Sequence, residues 1–231
     1  MTGFTEIILA ALLGTDLFLA CASRLFHCIK IVAFQGVMLG LLPLIMWNWQ
    51  ASPPHGQMIF VAAVNLLIKG ILLPCLLTRA MRQANVRREL EPFIGYSASL
   101  FLILLAAGIS FWFCARLDLV PDSVSRLSLP VAFTTMLTGL FIIIARKKAI
   151  TQAIGFLIFE NGITIFGTGM MLEYGLIVEL GILLDVFVLV FVMGIALFQI
   201  SREFQHIDSN RLNQLGDWTM PEKEEIEEVE Q

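Results

Sequence analysis

Long apolar runs, separated by short polar stretches, take up nearly the whole chain. A helix crossing the hydrocarbon layer needs about 20 mostly apolar residues. Seven runs approach or reach that length: residues 4–22, 31–47, 58–77, 92–114, 129–145, 151–171 and 176–199. Between them lie residues 23–30 (SRLFHCIK) and residues 48–57, which carry Pro53-Pro54 and neither Lys nor Arg. Residues 78–91 hold Arg79, Arg82, Arg87 and Arg88, and residues 115–128 are of mixed charge and include Pro121. Arg146-Lys147-Lys148 and the very short Leu172-Glu173-Tyr174-Gly175 complete the set of connections. Proline clusters and polar breaks of this kind read as loops. The pattern predicts an all-α polytopic membrane protein with seven transmembrane helices.

Basic residues set the orientation of such a chain, because cytoplasmic connections are enriched in Lys and Arg. With seven spans, one side collects Arg24, Lys30, Arg79, Arg82, Arg87, Arg88, Arg146, Lys147, Lys148, Arg202, Arg211 and Lys223. The other side keeps only Arg116 and Arg126. The N-terminus is therefore expected outside and the C-terminus in the cytoplasm. Trp47 and Trp49 suit an interfacial belt. The organisation expected is a four-helix part over residues 1–128, a three-helix part over 129–200 and an acidic cytoplasmic tail over 201–231.

Composition agrees with this reading and narrows it. Hydrophobic residues make up 58% of the 231 and charged ones 15%, and the mean hydropathy is +0.83. That balance excludes an ordinary soluble domain. The net charge of −4 comes mostly from the tail, so it gives no reason to expect a nucleic-acid partner. The tail's run PEKEEIEEVEQ reads as a solvated end, with docking to a peripheral cytoplasmic subunit as the alternative. Cys21, Cys28, Cys75 and Cys114 are scattered without a C-x-x-C pair. They read as small buried thiols, with no metal or cofactor expected in this chain. The first run lacks a basic start and a small-residue cleavage site, which reads as a retained helix.

Candidate chemistry then reduces to the charges inside the spans. Lys69 lies about eleven residues into the third run, Glu160 about ten into the sixth and Asp185 about ten into the seventh. At about 1.5 Å per residue all three reach the midplane. Glu179 lies nearer the outer face and Asp16 is displaced towards the inner one. Charges at such depths are costly and are by default hypotheses of function. Glu179 and Asp185 are six residues apart, about 240° around a helix, and cannot share one face. Three titratable groups of mixed sign at one depth supply the elements of a lateral proton path, with Glu160, Asp185, Lys69, Glu179 and Asp16 as its candidate members.

Each of these residues also has a plainer reading. Lys69 paired with Glu160 or Asp185 would be a static salt bridge that fixes helix packing. Glu179 could be a headgroup-level residue, and Asp16 divides between relay and packing. His27, His55 and His206 lie in polar segments and read as surface histidines. Gly155, Gly162, Gly167 and Gly169 allow close helix approach, with Gly162 and Gly169 seven apart on one face. Pro43 and Pro74 interrupt apolar runs, which gives local kinks or, more sharply, broken helices that expose backbone to a water path; Pro130 interrupts none clearly. No nucleotide-binding glycine loop, nucleophile–base pairing or metal-ligand cluster stands out, and no internal repeat is evident. Ion handling without an energy source of its own points to a subunit of something larger.

The last three runs resemble the three-helix K-type membrane subunit of complex I and its small counterpart in Mrp-type cation/proton antiporters. The residues that carry this are Gly155-Phe156-Leu157 leading to Glu160-Asn161-Gly162, and Gly194-Ile195-Ala196-Leu197. Over its whole length the chain resembles more closely the hydrogenase-4 component E family of group 4 membrane hydrogenases. Lys69-Gly70-Ile71-Leu72-Leu73-Pro74 and Val178-Glu179-Leu180-Gly181-Ile182 followed by Asp185 join the Glu160 block in that match. This resemblance implies a non-redox membrane subunit in a bacterial or archaeal cytoplasmic membrane. It would contribute mid-membrane carboxylates and a lysine to proton translocation, coupled to electron transfer on other chains. The implied partners are antiporter-like membrane subunits, a peripheral hydrogenase-like iron–sulfur arm and membrane lipids. Glu160 matches the first membrane glutamate of the K-like subunits. Val190 stands about where those subunits carry the second, so Asp185 or Glu179 would have to supply it. The alternatives are a subunit of a cation/proton antiporter without a redox partner, and a passive anchor for a peripheral arm.

Overall fold

The computed structural model describes residues 2–22, 24–46, 56–83, 95–116, 125–146, 149–169 and 194. The elements are α1 (Thr2–Cys21), α2 (Leu25–Met46), α3 (Gly56–Leu67), a π-helical turn (Ile68–Leu72), α4 (Leu73–Gln83), α5 (Tyr96–Arg116), α6 (Ser128–Ala145) and α7 (Ala149–Gly169). Hydrocarbon offers the backbone no hydrogen-bond partners, so an apolar run crosses it as a helix that satisfies its own amides. Among the described residues six segments are long and apolar enough to cross: Gly3–Cys21, Leu25–Met46, Ala62–Arg79, Tyr96–Arg116, Ser128–Ala145 and Ile150–Thr168. They coincide with the first six apolar runs. The seventh run, with Glu179 and Asp185, lies outside the described residues.

Two boundaries differ from the expected ones. The second helix begins at Leu25 instead of residue 31, so most of the expected connection 23–30 is helical. Its residues include no Gly or Pro, and they separate by face. Leu25, Cys28 and Ile29 are buried, while Phe26, His27 and Lys30 are exposed. The Lys30 ammonium sits 4.6 Å from the Phe26 ring centroid. Lysine can cover apolar surface with its stem and keep its charge outside, so it does not end a helix. For the same reason the third crossing continues to Gln83, burying Leu73 and Leu77 and leaving Arg79 and Arg82 exposed.

The helices pack in two apolar layers stacked along their length. One joins Leu19 of α1, Leu25, Cys28, Ile29 and Val32 of α2, Leu73 and Leu77 of α4, Ile142 of α6, and Ile150, Ile154 and Ile158 of α7. The other joins Leu9 and Leu12, Leu39 and Leu42, Val131 and Ala132, and Ile165. In α1 and α6 the first layer takes the later residues and the second the earlier ones; in α2 and α7 the order is reversed. α1 and α6 therefore run antiparallel to α2 and α7, and Arg24, Lys30, Arg79, Arg82 and Arg146 gather at the end of the first layer. Both layers draw on residues before and after position 129.

Burial ranks the helices. The spanning window of α7 is 67% buried and that of α6 61%, against 17% for α5. The α6–α7 pair is thus the centre and α5 the outer wall, showing Phe101, Leu105, Ile109 and Trp112 to its surroundings. Glycine makes the central pair possible. A Cβ on Gly139 would collide with the Phe159 amide nitrogen, and one on Gly155 would lie 2.9 Å from the Gly139 carbonyl oxygen. Gly162 faces Met136 and the Ala132 carbonyl in the same way. Small residues at such crossings let two backbones approach closely in a membrane. Gly139→Ala is expected to force the central helices apart and to lower stability by about 1–3 kcal/mol. Gly108→Ala on α5, where a Cβ meets nothing within 4 Å, is expected to leave it unchanged. Thermal unfolding of the detergent-solubilised variants checks both.

Candidate functional site

Between the two apolar layers runs a belt of polar side chains, contributed by every helix that reaches both. On α1 it lies between Leu12 and Leu19, on α2 between Val32 and Leu39, on α6 between Ala132 and Ile142, and on α7 between Ile158 and Ile165. Its buried members are Asp16, Gln35, Thr134, Thr135, Thr138, Glu160 and Asn161, and Lys69 joins it from the π-helical turn.

Lys69 and Glu160 form the charged half. Nζ lies 2.8 Å from Glu160 Oε1, and the two side chains are only 4% and 1% exposed. Nζ also donates to Thr164 Oγ1 at 2.9 Å. Thr164 stands one turn after Glu160 and can donate in turn to the Glu160 carbonyl at 3.1 Å. A single helix face therefore presents the ammonium with a charge and a hydroxyl. Glu160 Oε2 is buried and has no hydrogen-bond partner among the described residues.

The backbone under Lys69 is built for this reach. In the π turn the Leu73 N–H bonds back to the Ile68 carbonyl, five residues away. Pro74 follows directly and has no N–H of its own, so an α-helical ladder is interrupted here in any case. π turns inside α-helices occur frequently at functional sites. The turn rests on α2. A Cβ on Gly36 would lie 2.6 Å from the Lys69 carbonyl oxygen and 2.9 Å from Lys69 Cβ, and one on Gly40 would crowd Leu66. Only hydrogen fits at Gly36, and that lets Lys69 pass close over α2 and extend to α7. Pro43 and Pro74 both sit within helical segments. The helix carrying Pro74 is thus locally rewound and not broken.

Asp16 organises the uncharged half. Its Oδ1 accepts from Gln35 Nε2 at 2.9 Å and its Oδ2 from Thr135 Oγ1 at 2.7 Å. Gln35 Nε2 also reaches Thr15 Oγ1 at 2.8 Å, and Gln35 Oε1 accepts from Asn161 Nδ2 at 3.3 Å. One carboxylate, bonded to Thr135 and to a glutamine that also reaches Asn161, ties α1, α2, α6 and α7 together. Lys69 and Glu160 thus meet, while Asp16 belongs to a neighbouring cluster whose Asn161 stands next to Glu160 on α7. Asp185 and Glu179 lie outside the described residues.

Gln35, Thr135, Asn161 and Thr164 do not stand out when charge alone is the guide. Their signal is present all the same: Gln35 is the single polar side chain in the middle of a long apolar run, and the threonines cluster in another. Neutral polar groups in hydrocarbon also need partners, at a lower cost that marks them less sharply.

A protein of Mycobacterium tuberculosis carrying the name Uncharacterized protein Rv0085 is 33% identical over 195 residues, covering 82% of this chain and 85% of its own. The chain belongs to that protein's family. No family model matches the chain, and no solved structure matches it. The geometry of the belt therefore carries the functional reading.

Removing one member of a buried ion pair strands the other charge, typically at a cost of about 3–5 kcal/mol, whereas replacing both by apolar groups can be neutral. Lys69→Met and Glu160→Leu are each expected to destabilise the protein by amounts of that order. The double variant is expected to recover most of the loss, which denaturant titration in detergent would read as a strongly non-additive cycle.

Proposed function

We propose that this chain is a seven-span, non-redox membrane subunit of a complex-I-like assembly of the group 4 hydrogenase or formate hydrogenlyase type. It lies in a cytoplasmic membrane with its N-terminus outside and its C-terminus in the cytoplasm. Its task is to pass protons laterally through Glu160 and Lys69, with Asp185 or Glu179 as a further carboxylate. Electron transfer takes place on partner chains, and their redox state biases protonation here through coupled charges. The observation that carries this reading is the buried Lys69–Glu160 pair at 2.8 Å, seated on a π turn in the middle of a membrane-spanning helix. An ammonium and a carboxylate in direct contact can exist as ions or, after one proton shift, as a neutral pair. That gives two states whose balance responds to nearby charge. The resemblance of the Lys69–Pro74 and Glu160 blocks to hydrogenase-4 component E supports the same reading.

Two other readings make different predictions. A subunit of a cation/proton antiporter would keep the relay and lack redox partners. A passive anchor would need the pair for packing alone. Mass spectrometry of the gently solubilised complex separates the first two: nickel–iron hydrogenase-like and iron–sulfur chains beside antiporter-like ones are expected. Antiporter-like chains alone would favour the antiporter reading, and a lone monomer would sink both. Glu160→Gln keeps size and removes titration, so in the assembled complex it is expected to abolish proton pumping by inverted vesicles while the peripheral arm stays attached. Normal pumping by that variant would leave the passive anchor.

A further inference from the structure

A second polar feature lies away from the belt, where α6 ends and α7 begins. Arg146 follows the last turn of α6 with an extended backbone, φ −119° and ψ 137°. Its side chain is only 3% exposed, which is unusual for an arginine at the end of a helix. The guanidinium carbon lies 5.5 Å from the Tyr96 ring centroid, and Gln152 Nε2 donates to the Arg146 carbonyl at 3.2 Å, bracing the turn. Nη1 is buried without a hydrogen-bond partner among the described residues.

Arg146 also lines a cavity of about 10 Å³ with Leu19, Cys28, Ile142, Thr151 and Ile154. That volume holds about one oxygen-sized atom. Thr151 is the third residue of α7, a 21-residue helix, so the cavity borders its N-terminal turn. The N-terminus of a long helix carries a partial positive charge and N–H groups directed outward, which favour an anion. A guanidinium is always charged, and its fork matches phosphate and carboxylate oxygens. The site therefore combines a buried cation with an unused donor, the positive end of a helix, and room for one oxygen.

We propose that this cavity receives one phosphate oxygen of an anionic membrane lipid, with the rest of the headgroup outside it. Arg24, Lys30, Arg79 and Arg82 belong to the same end of the bundle, where headgroups meet the protein. Basic pockets between transmembrane helices at such an end suit anionic headgroups. The ring of Tyr96 holds the guanidinium in place until the phosphate arrives.

The test uses the full chain in an uncharged detergent, following its melting midpoint while phosphatidylglycerol is titrated into the micelles. Inorganic phosphate and diacylglycerol serve as the separate arms. Phosphatidylglycerol is expected to raise the midpoint saturably. Inorganic phosphate should need at least a hundredfold higher concentration for the same shift, and diacylglycerol should give none. Arg146→Met is expected to weaken the lipid response at least tenfold, and Arg146→Lys, which keeps the charge and loses the fork, several-fold. Arg79→Met, at an exposed position of the same end, should retain it. If Arg146→Met does not fold, Thr151→Val supplies the comparison, with a several-fold weaker response expected. Equal potency of inorganic phosphate would overturn the lipid source. An absent response, or one that the Arg146 and Thr151 variants share with wild type, would overturn the site and leave a water-filled cavity.

Discussion

The constraint on which everything else depends is that two carboxylates and an ammonium are buried in the middle of a bundle built to lie in hydrocarbon. Asp16, Lys69 and Glu160 are 0%, 4% and 1% exposed. None can be solvated by lipid, so each must find its partners inside the protein. The two apolar layers above and below allow no escape along the helices. The helix arrangement follows from this. α2 must pass near α1 to bring Gln35 to Asp16, and α7 must be central because it supplies both Glu160 and Asn161.

Close approach is what makes those partnerships geometrically possible. Gly36 lets the Lys69 backbone lie on α2, and Gly139, Gly155 and Gly162 let α6 and α7 touch. The π turn adds one residue to the local winding and Pro74 removes a donor just after it, so this segment of helix is held more by its neighbours than by its own ladder. Such a segment is positioned by tertiary contacts at its charged residue. A lysine there has a defined direction without depending on a rigid helix beneath it.

The six described spans were legible because hydrocarbon permits so few structures: an apolar run of sufficient length becomes a helix whatever its detailed composition. Their boundaries were less legible. Lys30 and His27 looked like the polar exit of a loop, yet the same residues form the exposed face of a helical turn whose other face holds Leu25, Cys28 and Ile29. The charged site could be read in part, since the cost of burying Lys69 and Glu160 singles them out and their common depth allows a pair. The choice of Glu160 as the partner, and of Thr164 as the second acceptor, depends on helix rotation, which depth does not determine. Gly162 stood out in sequence as a packing residue, whereas Gly36 and Gly139 did not. Their role exists only against a particular neighbour.

The division of the belt into two halves also limits what each half can do. From Asp16 the hydrogen-bonded path runs through the carboxamides of Gln35 and Asn161 and stops there, one residue from Glu160 along α7. An amide can donate a hydrogen bond on one side and accept on the other, but it has no titratable proton to hand on at ordinary pH. Among the described residues the Asp16 cluster makes its contacts to neutral groups and so acts as a brace, whereas Lys69 and Glu160 are in direct charge contact. The brace still matters to that chemistry. Asn161 adjoins Glu160 on α7, so fixing Asn161 against Gln35 fixes the rotation of α7 and with it the direction of the Glu160 carboxylate. Asp16 acts on the ion pair through position, by holding in place the helix on which one of its members is carried.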